Sequence, residues 1–302
     1  MNQKNPFISV LITAYNREEF IAEAIESVIN SSFQDFELII VDDASTDRTC
    51  DIIEKYLKKD SRIRSVNNLS NLGQFPNRNK AASFAKGIYL KFLDSDDVLL
   101  PKTLEIFSDG MKKNSLASIG VEFNNCCFIK ASKLFPFDLT AAKAFEWHFE
   151  KGGLLFSPPS TSIYNRKDFE KVGGFSEKTG TNADVELHLK LSAISGTVVF
   201  QAGLIFWRRH PDQSAAFQEN NEFHMMLERF KIHQTILTSG NSPLTLNQTR
   251  RIMFSQKSLY MRRAILNYLI KGKLKTFYHL LHKAGLSFLD LPLVFIPLRF
   301  IR

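Results

Sequence analysis

Two rhythms of apolar and polar positions alternate along the first half of the chain. Phe7–Thr13 is a run of apolar and β-branched residues, the pattern of a strand buried on both faces. In Arg17–Asn30 the apolar residues Phe20, Ile21, Ala24, Ile25 and Val28 fall on one face of a helix. Glu37–Val41 repeats the strand pattern and runs into Asp42-Asp43. Ala44-Ser45-Thr46-Asp47 reads as a turn and helix cap, and Thr49–Leu57 as a helix. Ile63–Asn67 predicts a short strand, Asn71-Leu72-Gly73-Gln74 a loop, Asn77–Lys86 a helix and Tyr89–Leu93 another buried strand. This alternation predicts an α/β fold with a mainly parallel, Rossmann-like sheet flanked by helices.

After Pro101 the pattern loosens. Leu104–Met111 reads as a helix and Ala117–Phe123 as a strand, and 133–154 is irregular apart from a helix near Ala141–Phe149. Ser162–Asn165 predicts a strand, Arg166–Val172 a short helix and Gly173-Gly174-Phe175 a turn. Asp184–Ser195 carries Leu187, Leu191 and Ile194 on one face, and Thr197–Gln201 and Leu204–Arg208 predict strands. From Asn220 to about Leu286 the pattern is helical, with Pro243 as a break. There is no internal repeat. The expected organisation is a catalytic-type α/β domain over residues 1–217 and a basic helical C-terminal extension over 218–302.

Charge sharpens that division. The 302-residue chain has a formal charge of +8, yet the segment from Gln218 onward holds 13 Lys and Arg against 4 Asp and Glu. The rest is nearly neutral. A basic tail suits nucleic acid or an anionic lipid surface. Phe288–Ile301 is apolar but broken by Asp290, Pro292 and Pro297, which favours an interfacial segment with cationic flanks over a membrane span or a nucleic-acid arm. A helical cap whose basic side is merely solvated fits equally well. No run of about 18 apolar residues is present, so no classical transmembrane helix is expected. The N-terminus has no charged-then-apolar leader pattern. Cys50, Cys126 and Cys127 offer neither a disulfide framework nor a zinc spacing. A reducing, cytoplasmic setting is expected, peripheral on the inner face of the cell membrane if the tail binds lipid.

The candidate chemistry lies at the strand ends. In α/β sheets of this kind ligands sit beyond the carboxyl ends of the strands. Tyr15, Asp42-Asp43 and Asp94-Ser95-Asp96 should therefore gather on one rim. Phe92-Leu93-Asp94-Ser95-Asp96-Asp97 places three carboxylates at the end of a buried strand, where they repel one another and resist desolvation. A bound Mg²⁺ or Mn²⁺ relieves that repulsion, taking a carboxylate or two plus substrate phosphates. A capped helix start before Pro101 is the alternative. No G-x-G-x-x-G follows the first strand, which excludes a dinucleotide-dependent oxidoreductase. Thr13-Ala14-Tyr15-Asn16 also lacks the glycines of a nucleotidyltransferase phosphate loop.

Taken in order, Val10-Leu11-Ile12-Thr13-Ala14-Tyr15-Asn16, Ile40-Val41-Asp42-Asp43-Ala44-Ser45, Asn71-Leu72-Gly73, Arg78-Asn79 and Leu93-Asp94-Ser95-Asp96-Asp97 resemble the family 2 inverting glycosyltransferases. Gly173-Gly174-Phe175 with Ala183-Asp184 resembles the family's acceptor-side motif, and Arg209-His210 its closing Arg-x-His element. The resemblance covers about Phe7 to Ser214. It implies a GT-A fold, a nucleotide-diphosphate sugar donor, a carbohydrate or lipid-linked acceptor in cell-surface polysaccharide assembly, and Mn²⁺ or Mg²⁺. It implies that Thr13, Ala14, Tyr15, Asp43, Arg78, Asp94 and Ser95 hold the donor, with Tyr15 packed on the base, Asp43 on ribose or base and Arg78 on phosphate. On this resemblance Asp96 is the first candidate for the metal, His210 a candidate further ligand or phosphate contact, and Asp97 a candidate for orienting the loop. Asp184 is the implied general base, although Ala183 stands where the family usually has Glu. A helix cap is the ordinary alternative for Asp184. The competing function is a non-catalytic, membrane-associated nucleotide-sugar-binding protein.

Overall fold

Four parallel strands form one half of an eight-stranded sheet, and their order brings separate stretches of sequence to a common edge. The computed structural model describes residues 5–123, 134–210 and 222–287, with no side chains for 222–224. The first half alternates β1 (Ile8–Ala14), α1 (Ile21–Ile29), β2 (Phe36–Asp42), α2 (Thr49–Leu57), β3 (Ile63–Asn67), α3 (Gln74–Ser83) and β4 (Tyr89–Asp94). Then follow β5 (Val98–Leu99), α4 (Thr103–Lys113), β6 (Ile119–Phe123), β7 (Phe137–Leu139), α5 (Ala141–Glu150), β8 (Ser162–Asn165), α6 (Arg166–Lys171), α7 (Ala183–Ser195), β9 (Thr197–Gln201) and β10 (Ile205–Phe206). The strand order is β3-β2-β1-β4-β8-β6-β9-β7. Only β8 and β7 run against the others. β5 and β10 pair in a separate two-stranded ribbon.

The apolar runs of β1, β2 and β4 are continuous because both faces of the sheet are covered. Along β1, Val10 and Ile12 pack with α1 and α4, while Leu11 points to the opposite core with α3, α5 and α7. This is the period of two expected of a strand between two helical layers. Each core holds large side chains with almost no exposure, Phe107 on one side and Phe92 and Phe145 on the other. Burying one such phenyl group is worth about 1.5–3 kcal/mol.

Some local expectations shift. The third helix begins at Gln74 rather than Asn77. Pro76 falls in its first turn, where a missing N–H costs nothing. Gly73 precedes it with φ of +89°, a conformation that suits glycine. The region 133–154 contains the short strand β7 besides α5, whose Thr140 cap accepts from the Lys143 amide. The expected strand Leu204–Arg208 contracts to β10.

The helical C-terminal region consists of α8 (Glu222–Thr238), α9 (Leu246–Ala264), a single π-helical stretch over Ile265–Leu269, and α10 (Leu274–Lys283). Pro243 lies in the break, and Thr245 and Gln248 form a reciprocal capping box at the start of α9. Ile232, Leu237 and Ile252 enter the core shared with α5 and α7, whereas Leu227, Phe230, Tyr260, Met261 and Phe277 form a separate cluster. Among the described residues no helix is long and apolar enough to cross a membrane. Cys126, Cys127 and Phe288–Ile301 lie outside the described residues.

Candidate active site

The parallel register sets the site. Ala14 pairs with Asp42 and Thr13 with Asp94, so β1, β2 and β4 end side by side. A cleft of about 510 Å³ opens beyond these ends. It is lined by Thr13, Ala14, Tyr15, Asp43, Arg78, Asp94, Ser95, Asp96 and Asp184, which brings together nine of the ten residues for which the sequence suggests a donor, metal or base role. The tenth, His210, does not line the cleft but touches a residue that does.

Neighbouring carboxylates divide their work. Asp42 accepts from the Ser45 amide (2.8 Å) and hydroxyl (2.5 Å), holding the turn after β2. Asp43 is 3% exposed and accepts from Asn68 Nδ2 (2.6 Å) and the amides of Leu72 (2.9 Å) and Gly73 (3.0 Å). Its amide donates to the Ala14 carbonyl (2.8 Å). Asp43 thus fixes the 71–73 loop against the end of β1 as well as facing the cleft. Tyr15 is 44% exposed at the rim, leaving its ring face available to a planar group. Asn16, with φ of +50°, accepts from the Thr46 amide (2.8 Å) and ties the β1–α1 and β2–α2 loops together.

Arg78 lies in the second turn of α3 rather than at its start, and is buried. It pairs with Asp94 at 2.5 Å. Asp94 is therefore partnered by a cation and does not join Asp96 in a shared cage. Asp96 instead accepts from His210 Nε2 at 2.8 Å, with Arg17 Nε at 3.7 Å. Arg208 clamps the loop from β10, donating from its amide to Asp97 (3.2 Å) and from Nε to the Asp96 carbonyl (3.1 Å). Asp97 is buried, and that burial, with the nearby Asp94 charge, pushes its carboxyl up to about 7. Phe20 packs on the His210 ring at 4.8 Å.

Among the described residues no group of three or more His, Cys, Asp and Glu forms a ready-made metal cage. The Asp96–His210 pair still suits a divalent cation. It offers a carboxylate and an imidazole, and the buried His210 Nδ1 has no hydrogen-bond partner. Substrate oxygens would have to complete the shell, as is usual for Mg²⁺ and Mn²⁺ sites on phosphates.

Asp184 is the second residue of α7 and does not cap it; the cap position is Asn182. The Asp184 Oδ1 accepts from the Val185 amide at 2.7 Å. Burial raises its carboxyl to about 6, against the pull of that hydrogen bond and of Arg78 and Arg229. A base poised there accepts a proton readily near neutral pH.

Several cleft residues carry no local sequence signal. Arg229 arrives from α8 and Phe156 from the loop after α5, and Arg17 and Trp207 flank recognised motifs. Trp207 is 54% exposed where it lines the cleft. Arg229 donates from Nε to Asn182 (3.1 Å) and lies over the Phe156 ring at 4.5 Å.

The family model described as glycosyl transferase family 2 matches residues 9–173, more than half of the chain. The chain belongs to glycosyl transferase family 2. Chondroitin synthase of Pasteurella multocida is 30% identical over 193 residues, a match covering 63% of this chain and 19% of that protein. The chain spans under half the length of the first-ranked relatives it matches. Among solved structures, S. aureus TarS 1-349 in complex with UDP-GlcNAc superposes with a TM-score of 0.66 at 20% identity, covering 85% of this chain and 72% of that one. The mannosyltransferase PcManGT from Pyrobaculum calidifontis, in complex with GDP-Man and Mn²⁺, gives 0.60 at 13% identity, covering 93% and 86%. These likenesses establish the fold as GT-A.

Proposed function

We propose that this family 2 chain is a metal-dependent inverting glycosyltransferase. It moves a hexose-type sugar from a nucleotide-diphosphate donor to a carbohydrate or lipid-linked acceptor in polysaccharide assembly. The observation that carries the reading is the presence, in one cleft, of a carboxylate raised to about 6 by burial and of two anchored partners for a diphosphate, Arg78 and the Asp96–His210 pair. Tyr15 packs against the base of the donor, and Asp43 holds the loop that borders it. Arg78 neutralises phosphate charge from a buried helix position, kept in place by Asp94. Asp96 and His210 would hold a Mn²⁺ or Mg²⁺ ion, which supplies charge stabilisation for the departing diphosphate. Asp184 takes the proton of the acceptor hydroxyl as that oxygen attacks the anomeric carbon from the side opposite the leaving group. The named relatives support this class of chemistry: TarS holds UDP-GlcNAc and PcManGT holds GDP-Man with Mn²⁺.

The same reading places the enzyme at an anionic membrane surface. Leu266, Ile270, Leu274 and Tyr278, spread over the π-helical stretch, the turn after it and α10, are each about half exposed or more, and the exposed Lys271, Lys273 and Lys275 lie among them in sequence. Exposed apolar side chains interspersed with lysines suit lipid head groups. It would confine the enzyme to the surface that carries a lipid-linked acceptor.

The deciding experiment is a binding and turnover screen of the purified chain against UDP-, GDP- and dTDP-sugars with and without Mn²⁺. The expected result is metal-dependent binding of one nucleotide class and release of its nucleoside diphosphate. Absence of binding to every nucleotide would overturn the proposal.

A further inference from the structure

The cations of the cleft are not equally employed. Arg78 is matched by Asp94 at 2.5 Å, and Arg17 lies 3.7 Å from Asp96. Arg229 has no carboxylate within 4.0 Å among the described residues. Its Nε is spent on the buried Asn182 and its plane rests on Phe156, while its terminal nitrogens make no hydrogen bond to a described residue. The guanidinium is thus held in place at the cleft wall with donors to spare. Its support is deep. Asn182 also donates to the Met225 carbonyl (3.1 Å), which pins α8 to the turn before Asp184. One helical turn beyond Arg229, His233 contacts the buried His148 of α5 at 3.3 Å.

Arg229 stands at the Asp184 end of the cleft, because its anchor Asn182 is two residues before Asp184, and it lies outside the segment matched by the family model. A half-buried guanidinium with no carboxylate in direct contact, feeling Asp184 only at a distance, pays a desolvation cost that an anionic ligand repays, and its fork geometry matches phosphate and carboxylate. We propose that Arg229 is a specificity residue that selects a substrate bearing an acidic group, a sugar phosphate or a uronate, next to the reacting hydroxyl or on the transferred sugar. The inference rests on the glycosyltransferase reading and on Asp184 as its base. Acidic binding also has a mechanistic effect. An anion on Arg229 screens the cation that otherwise weakens the basicity of Asp184, so the base is strongest when an acidic substrate is in place.

The test uses the full chain with Mn²⁺. Calorimetric affinities are measured for UDP-glucuronate against UDP-glucose, which tests an acidic donor. Glucose 6-phosphate against glucose, with UDP present, tests an acidic acceptor. The expected result is a preference of about tenfold or more for the acidic member of one pair. The preference should disappear in Arg229→Met, which keeps the aliphatic stem over Phe156, survive in part in Arg229→Lys, and shrink with added salt in the wild type. UDP affinity should stay unchanged in both variants. Equal affinity of the wild type for acidic and neutral members in both pairs, or a preference that survives Arg229→Met, overturns the proposal. The wild-type comparison decides even if Arg229→Met does not fold. Failure of the wild type to bind any nucleotide would instead count against the glycosyltransferase reading.

Discussion

His210 Nε2 lies 2.8 Å from an Asp96 carboxylate oxygen, across 114 residues of sequence. The Arg208 clamp on Asp96 and Asp97 sets that distance, so the ribbon of β5 and β10 brings a late histidine to an early aspartate. Under the proposed mechanism, Asp96→Asn removes the anionic ligand facing the diphosphate and should abolish transfer while leaving the melting curve intact. His210→Gln should raise the Mn²⁺ concentration needed for half-maximal rate by about 10–100-fold. A metal titration of both variants checks this. Full activity of Asp96→Asn in chelator-treated buffer would rule out the metal role.

Asp184→Asn separates chemistry from binding. Nucleotide-sugar affinity should persist, and turnover should fall by about 10²–10⁴-fold. The wild-type rate should show an acid limb near pH 6, because burial holds the Asp184 carboxyl at about that value and only its ionised form accepts a proton. The rate falls as pH drops through 6 and is level just above it. A profile of kcat/KM between pH 5 and 8 reads this directly, and a flat profile would assign the base elsewhere.

Three buried histidines predict acid sensitivity of the fold. Burial holds His188 and His233 down at about 4, and His148 well below the ordinary value of 6.5. The unfolded chain takes up these protons near pH 6.5 and the folded chain does not. Stability is therefore full above pH 6.5 and declines as pH falls toward 4, by about 3 kcal/mol for each of His188 and His233, with His148 acting in the same direction. Thermal melts between pH 7.5 and 5 should show a falling midpoint, and His233→Gln should flatten the fall. An unchanged slope in that variant would exclude His233 as a contributor.

The proposed lipid attachment predicts two separable parts. Replacing Lys271, Lys273 and Lys275 with Gln should weaken binding to anionic vesicles by about 10²-fold at low salt, at about 1 kcal/mol per lysine. Replacing Leu266 and Ile270 with Ser should remove the salt-resistant remainder. Co-sedimentation across a salt series separates the two. No vesicle-dependent pelleting of the wild type would withdraw the membrane reading and leave the catalytic one standing.

The sheet was legible because β1, β2 and β4 are covered on both faces, which writes them as unbroken apolar runs. The start of α3 was not, since Pro76 reads locally as a breaker although the first helical turn tolerates it. Asp42 and Asp43 look alike in sequence. Only the pleat of β2 and the fold of the 71–73 loop give one to the Ser45 turn and the other to the cleft edge. Arg229 was invisible for a different reason. Its place depends on packing between α8 and α7 and on a hydrogen bond to Asn182, 47 residues away, which no local pattern encodes.

The family model ends at residue 173, and Asp184, His210 and Arg229 all lie beyond it. The strand-end half of the cleft thus lies inside the matched segment, and Asp184 and Arg229 line it from outside that segment. If Arg229 selects the substrate, a substitution there can alter which sugar is accepted without touching the packing of β1, β2 or β4.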